Sequence, residues 1–133
     1  MKNKLLTLLF LLAVNCFPQS ITEKELIGNW RVTNLEVTQI FCNLSKYNLK
    51  DSINKYYKSA SFNFLKNGKI IITSHENLEN PLHGFHKLNW KLEKKEWVLF
   101  HKNTTELWFD IRKVNNKYFF DFFNFMTLEM EKE

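Results

Sequence analysis

The sequence predicts an all-β protein, an eight-stranded antiparallel meander that closes into a barrel. Apolar and polar residues alternate from residue 60 onward, as they do in strands that bury one face. Asn67-Gly68 lies between two such runs, which is a strong signal for a hairpin. The later runs are also joined by short turns, and a meander that must hide its edges tends to close on itself.

The segments before residue 60 are different in kind. Residues 21–26 form a predicted short N-terminal helical turn, which starts with the Thr-x-x-Glu spacing of a capping box. Residues 29–40 follow as the first strand, and a switch of phase between Val32 and Leu35 predicts a bulge. Residues 43–59 form a long, partly helical first connection, which we expect to lie over one end of the barrel.

Residues 1–19 are predicted to be a signal peptide, which leaves residues 20–133 as the one domain. Two lysines precede residues 5–14, an apolar run with a single polar residue, and this order is typical of a secretory signal. The run is too short to span a bilayer, which takes about 20 residues. We expect an exported protein, periplasmic or secreted, with no transmembrane segment. Cys16 directly after the run gives the alternative of lipidation and a lipid anchor in the cell envelope.

Charge and cysteine content narrow the function classes. The chain has 19 basic and 14 acidic side chains and a net charge of +5. The lysines are scattered among acids and form no basic stripe with spaced aromatic residues, so nucleic acid is not an expected partner. With Cys16 removed or acylated, Cys42 has no partner for an internal disulfide, and the core must hold the fold. The sequence predicts no particular oligomeric state.

The sequence Gly28-Asn29-Trp30 resembles the opening of a lipocalin, in particular of the small lipocalin-like domains of exported bacterial proteins. In that family a Gly-x-Trp motif stands where a short helical segment enters the first strand. The resemblance implies a lipocalin-like barrel in which Gly28 allows a close approach and Trp30 plugs the closed end. The family's Thr-Asp-Tyr turn is missing, and so is an Arg after the last strand. Arg112 is our candidate to stack on Trp30 instead.

The period-two phase assigns one consistent set of side chains to the interior. Two interpretations stay open: a lined pocket for a hydrophobic small molecule or lipid, or a solid core without a void. The residues predicted to face inward are Trp30, Val32, Phe62, Phe64, Ile70, Ile72, Leu88, Trp90, Leu92, Leu107, Phe109, Ile111, Tyr118, Phe120, Phe122, Met126, Leu128 and Met130. The predicted ligand-binding residues among them are Phe62, Phe64, Ile72, Trp90, Leu107, Phe109, Tyr118 and Phe120.

A second apolar group, Phe119, Phe123 and Phe125, is predicted on the outward face. We expect residues 43–59 to cover it, and a partner surface is the alternative.

The sequence predicts no catalytic site and no cofactor. Its serines lie in no nucleophile elbow, and three glycines are too few for a phosphate-binding loop. His83 and His86, with His75 upstream, form the one cluster that resembles a metal site. A metal needs three or four ligands, and only Glu76 or Glu79 lies near enough in sequence to add one. We interpret these histidines as solvated loop residues.

These observations favour a non-enzymatic binding protein. Its barrel would hold a hydrophobic small molecule or lipid in the cell envelope, with residues 43–59 as the gate. The alternative is a filled-barrel protein-interaction or inhibitor module that acts through its loops and outer surface.

Overall fold

A computed structural model describes residues 20–38, 49–74, 78–79, 81, 88–93, 97–102, 105–122 and 125–133. These residues form a mostly β-structure, an antiparallel sheet accompanied by two short helices. The helices are α1 (Glu23–Leu26) and α2 (Leu49–Tyr57). The strands are β1 (Gly28–Val37), β2 (Ala60–Phe64), β3 (Lys69–Ser74), β4 (Leu88–Glu93), β5 (Trp97–Lys102), β6 (Thr105–Val114), β7 (Lys117–Phe122) and β8 (Met126–Lys132).

The sheet is curled, and its neighbouring strands follow chain order until β8 pairs back with β1. Pairing along the curl is uneven. Strands β4 to β8 are joined by ladders that run along most of their length. The ladder between β1 and β2, however, covers only residues 28–31 of β1. The described pairs between β3 and β4 are Lys69–Asn89 and Ile70–Leu88, since residues 82–87 before β4 lie outside the described residues. The prediction of an antiparallel, mostly β-fold is confirmed: the described strands form a curled sheet in which β4 to β8 are paired along most of their length.

Local sequence explains how the chain enters this sheet. The Thr22 hydroxyl accepts a hydrogen bond from the Glu25 N–H at 3.2 Å, and the Glu25 carboxylate accepts one from the Thr22 N–H at 2.9 Å. The predicted capping box is therefore confirmed, and its hydrogen bonds lower the pKa of Glu25. The predicted bulge is confirmed too, because the β1–β8 register shifts between Val32 and Asn34.

The two asparagine-containing turns differ from each other. Asn115 and Asn116 both have positive φ, 49° and 64°, which a tight two-residue hairpin turn requires. The Asn67-Gly68 turn is wider than predicted, because residues 65–68 all lie between β2 and β3. There Gly68 takes a φ of 76° and donates its N–H to the Leu65 carbonyl at 3.0 Å.

The core lies on the concave side of the curl. Every residue that the sequence predicts to face inward is buried or packs against the buried cluster. Other buried core residues were not predicted from the sequence. They lie in the helices, next to them, or on a strand whose inward side chains the sequence did not identify. These are Ile21, Leu26, Ile53, Tyr56, Tyr57, Ala60 and Val98.

Candidate functional site

The predicted ligand-binding residues come together inside the curled sheet. Six of them are at most 7% exposed, whereas Leu107 and Tyr118 are half-buried and pack against the others. The buried six are Phe62, Phe64, Ile72, Trp90, Phe109 and Phe120. The convergence follows from the strand period, because alternate side chains of neighbouring strands share one face. The resulting surface is rich in aromatic rings and is the candidate site.

The rings inside the sheet contact one another. Phe120 lies at their centre, with its ring centroid 5.3 Å from that of Phe109, 6.0 Å from Phe64 and 6.2 Å from Phe62. Phe109 also stacks on Phe122 at 4.6 Å. These distances are those of direct aromatic contact. The described rings therefore pack directly against one another and make the centre of the interior apolar and aromatic.

Trp30 lies fully buried at the end of the interior where α1 leads into β1. Its indole N–H donates a hydrogen bond of 2.7 Å to the Leu26 carbonyl, which ties β1 to the end of α1. The Tyr118 ring meets the indole edge-on at 4.8 Å. The Lys132 ammonium lies 5.5 Å from the indole centroid and donates to the Glu25 carbonyl at 2.5 Å. The indole is thus fully buried, with its one polar group hydrogen-bonded and an aromatic ring and a cation against it.

The backbone conformation of Gly28 and its distance from Lys132 explain why a glycine stands at the start of β1. Gly28 has a φ of 128°, and a β-carbon added there would lie 3.1 Å from Lys132 Cε. The glycine therefore permits the close approach of β8 to the start of β1.

The prediction that Arg112 stacks on Trp30 is wrong. Arg112 lies on the outer face, where it forms an ion pair with Asp121 and places its guanidinium 5.1 Å from the centroid of the Phe119 ring. Its pKa is raised, first by its hydrogen bond to Asp121. The cation over Trp30 comes instead from Lys132, which is paired with Trp30 across the β1–β8 ladder. Only the register of that ladder, between residues far apart in sequence, could have identified it.

The outward apolar group is covered in a different way from the one expected. Phe119 is half-buried beneath Arg112, and Phe125 packs against the core with its ring 6.1 Å from that of Phe122. The described part of residues 43–59 that is helical, α2, packs instead against β1, β2 and β3. Phe123 lies outside the described residues.

The other end of the interior is where β1 and β2 part. Their ladder stops at Arg31, paired with Ser61, and the β1 bulge follows immediately. Beyond the bulge a groove of about 260 Å³ separates β1 from α2, and its lining is Thr33, Asn34, Leu35, Asn54 and Lys58. Leu35 packs against the core, so the floor of this groove touches the interior.

Helix α2 covers this opening with three side chains. Ile53, Tyr56 and Tyr57 are each at most 4% exposed. The Tyr57 ring lies 6.3 Å from that of Phe62, which connects the helix to the ring cluster. Residues 50–52 and 55 face solvent. The spacing of three and four between these apolar residues is the sequence signal for this covering, although the segment is otherwise polar and rich in lysine.

Few polar groups hold α2 in place. The Tyr56 hydroxyl donates to the Ile72 carbonyl at 3.4 Å, which is a long hydrogen bond. Burial raises the pKa of the Tyr56 phenol above its usual value. Next to the helix, the hydroxyls of Ser59 and Ser74 lie 3.2 Å apart. The α2 end of the sheet, called the mouth below, thus places the hydroxyl groups of Tyr56, Ser59 and Ser74 at the edge of an apolar interior.

A second groove of about 430 Å³ lies beside the β7–β8 ladder, and Thr33 lines both this groove and the one at α2. Its two lining carboxylates are both paired: Lys117 of the lining contacts Glu129 at 2.7 Å, and Arg31 from outside the lining contacts Glu131 at 2.7 Å. Surface pairs of this kind add little stability. This groove differs from the one at α2, whose lining residues include no carboxylate.

Several predicted site residues lie outside the described residues. They are Cys16, Cys42, His75, His83 and His86, together with the whole of residues 1–19. Within the described part of the chain, no group of three or more His, Cys, Asp or Glu side chains is placed to hold a metal ion. Among the helices formed by these same residues, none has the length and apolar character needed to cross a membrane.

Comparison with known proteins adds no relative. No protein-family model matches this chain, and neither the curated proteins nor the solved structures gave a match.

Proposed function

We propose that this chain is a lipocalin-like, non-enzymatic binding protein that takes a hydrophobic small molecule or lipid into its interior at the α2 end. The observation that carries the proposal is the plug formed by Ile53, Tyr56 and Tyr57. These three side chains put apolar surface where a ligand's apolar part would lie, against Phe62 and the ring cluster behind it. In this proposal the ligand takes the place of the Tyr57 ring, and α2 moves aside as the gate.

Physical chemistry supports α2 as the movable element. A helix of nine residues is too short to be stable alone in water, so its order depends on what its apolar face touches. The buried side chains described on that face are Ile53, Tyr56 and Tyr57, and the hydrogen bond from Tyr56 to the Ile72 carbonyl is long. A ligand that supplies an equivalent apolar surface to Phe62 can therefore compete with the helix at moderate cost.

A packed interior favours a second candidate, the filled-barrel interaction or inhibitor module. Its support is the direct contact of the rings around Phe120. In that case the interior only stabilises the fold, and the loops and outer surface bind a protein partner. The exposed large apolar residues known on that surface are Ile71 and Val114, at 42% and 43% exposure. They lie on β3 and on β6, which gives this candidate less apolar surface than the interior offers.

Titration with a neutral hydrophobic fluorophore, N-phenyl-1-naphthylamine, separates the two candidates. The carrier proposal expects saturable one-to-one binding, and it expects Tyr57→Ala to bind about threefold to tenfold more tightly because the competing ring is gone. Val98→Ala is the control, because it removes buried apolar volume from β5 rather than from α2. Its affinity should equal that of the wild type. Absence of saturable binding in both the wild type and Tyr57→Ala would leave only the interaction module.

Export belongs to the same proposal and rests on the sequence alone. The positive start, the short apolar run at residues 5–14 and Cys16 are its support. The intact mass of the denatured protein from cells that express the full chain tests it. Either a mass that lacks about the first nineteen residues, or a mass that lacks residues 1–15 and carries acyl chains on Cys16, is expected. The unprocessed mass of residues 1–133 would remove export from the proposal.

A further inference from the structure

The groove at the mouth gives information about the ligand's polar end. It is lined by Thr33, Asn34 and Leu35 of β1 on one side and by Asn54 and Lys58 of the α2 segment on the other. Lys58 follows Tyr57 directly in the chain, and its exposed side chain lines the groove. Asn54 lies one turn earlier, and its carbonyl accepts the Lys58 N–H at 3.0 Å. Polar groups therefore gather on one side of the plug and rings on the other.

The charge of this groove is one-sided. None of its lining residues carries a carboxylate. Within the described part of the chain, Lys58 forms no ion pair, whereas Lys91, Arg112 and Lys117 each do. The helix and the residue after it contain three lysines and one aspartate. An anion in the groove would gain charge-assisted hydrogen bonds from Lys58 and neutral ones from the Asn34 and Asn54 amides.

The apolar path begins in the same groove. Leu35 lines its floor and packs against the core. A chain that starts at Lys58 and passes Leu35 would reach the position of Tyr57, whose ring contacts Phe62. The opening lies between one strand and one helix, which suits a single alkyl chain better than a broad ring system.

We propose that the ligand is a single-chain amphiphile with an anionic head group, held at the head by Lys58, Asn34 and Asn54 and at the tail beneath α2. This inference rests on the proposed function, because it names the ligand class for the same opening. Carboxylate and phosphate heads share the chemistry that the groove recognises, which is a negative oxygen that accepts hydrogen bonds.

Three twelve-carbon amphiphiles test the inference: dodecanoate, dodecan-1-ol and dodecyltrimethylammonium, each measured by calorimetry at pH 8 with the full chain. Dodecanoate is expected to bind about tenfold more tightly than dodecan-1-ol, and the cation more weakly than both. Lys58→Gln should reduce the preference for dodecanoate to about twofold and leave the affinity for dodecan-1-ol unchanged. Lys55→Gln is the matched control, because Lys55 is an exposed lysine of α2 that does not line the groove. It should keep the tenfold preference.

Dodecyl phosphate and inorganic phosphate distinguish the sources of the anion. Dodecyl phosphate is expected to bind at least as tightly as dodecanoate, whereas inorganic phosphate at the same concentration should not compete with it. Equal affinities for dodecanoate and dodecan-1-ol would overturn the inference and leave the hydrophobic carrier standing. Failure of every alkyl ligand to bind would overturn the carrier proposal itself. A preference for dodecanoate that survives in Lys58→Gln would place the head group elsewhere.

Discussion

Buried aromatic side chains lie at both ends of the curled sheet, but different contacts hold them in place. At one end Trp30 is fully buried, donates a 2.7 Å hydrogen bond and carries the Lys132 cation over its ring. At the other end Tyr56 and Tyr57 are equally buried but belong to a short helix with a long 3.4 Å hydrogen bond. Burial alone therefore does not tell how firmly a side chain is held. The element that carries the side chain, and its hydrogen bonds, make the difference.

The largest effect is expected at Trp30. Trp30→Ala removes a large buried side chain and leaves the Leu26 carbonyl without its indole donor, so the free energy of unfolding should fall by about 3–5 kcal/mol. Urea denaturation followed by far-UV circular dichroism measures this loss. A loss below about 1 kcal/mol would mean that the Trp30 end is not a structural plug, and the contrast between the ends would disappear.

Tyr57→Ala is expected to have a smaller global effect and a more local one. Because α2 can settle toward Phe62, we expect a loss of about 2 kcal/mol, at the low end for a buried side chain. Hydrogen exchange should quicken at the α2 amides much more than at those of β7 and β8. Equal quickening along the whole chain would contradict this, because it would make α2 part of the same cooperative unit as the strands.

The smallest effect concerns pH and the Tyr56 phenol. Burial raises its pKa in the folded protein, so the fold favours the neutral form. The stabilisation from this group is complete below the unfolded pKa of about 10 and is lost as the pH rises through the higher folded pKa. Above about pH 10, the free energy of unfolding of Tyr56→Phe should therefore fall less than that of the wild type. Tyr118→Phe is the control, and its free energy of unfolding should fall as much as that of the wild type. Urea denaturation from pH 8 to 11 compares the two variants, and parallel curves would exclude a role for Tyr56.

The sequence predicted the strand interior well because its signal is local. Alternation such as that of Phe62 and Phe64 identifies the buried face without any knowledge of the partner strand. The capping box and the bulge in β1 are likewise local patterns. The predicted lining residues converged for the same reason.

Features that depend on distant pairing could not be obtained in this way. The position of Lys132 over Trp30 depends on the β1–β8 register, and the role of Tyr57 depends on where α2 packs. The early end of the β1–β2 ladder, which creates the groove at Lys58, is also a property of tertiary structure. The residues that bear on export come from the first nineteen positions, which the described structure does not include.

The pairing of β1 with β8 also has a consequence for the order of events in the cell. It joins residues about as far apart as the chain allows, such as Arg31 and Glu131, which are 100 positions apart. Such contacts form late and slowly, because a long loop must close before they contribute. A growing chain cannot complete this seam until its last strand, Met126–Lys132, has been synthesised. Until β8 has been made, β1 lacks the neighbour with which it forms its longest ladder, and one of its edges stays open to other strands.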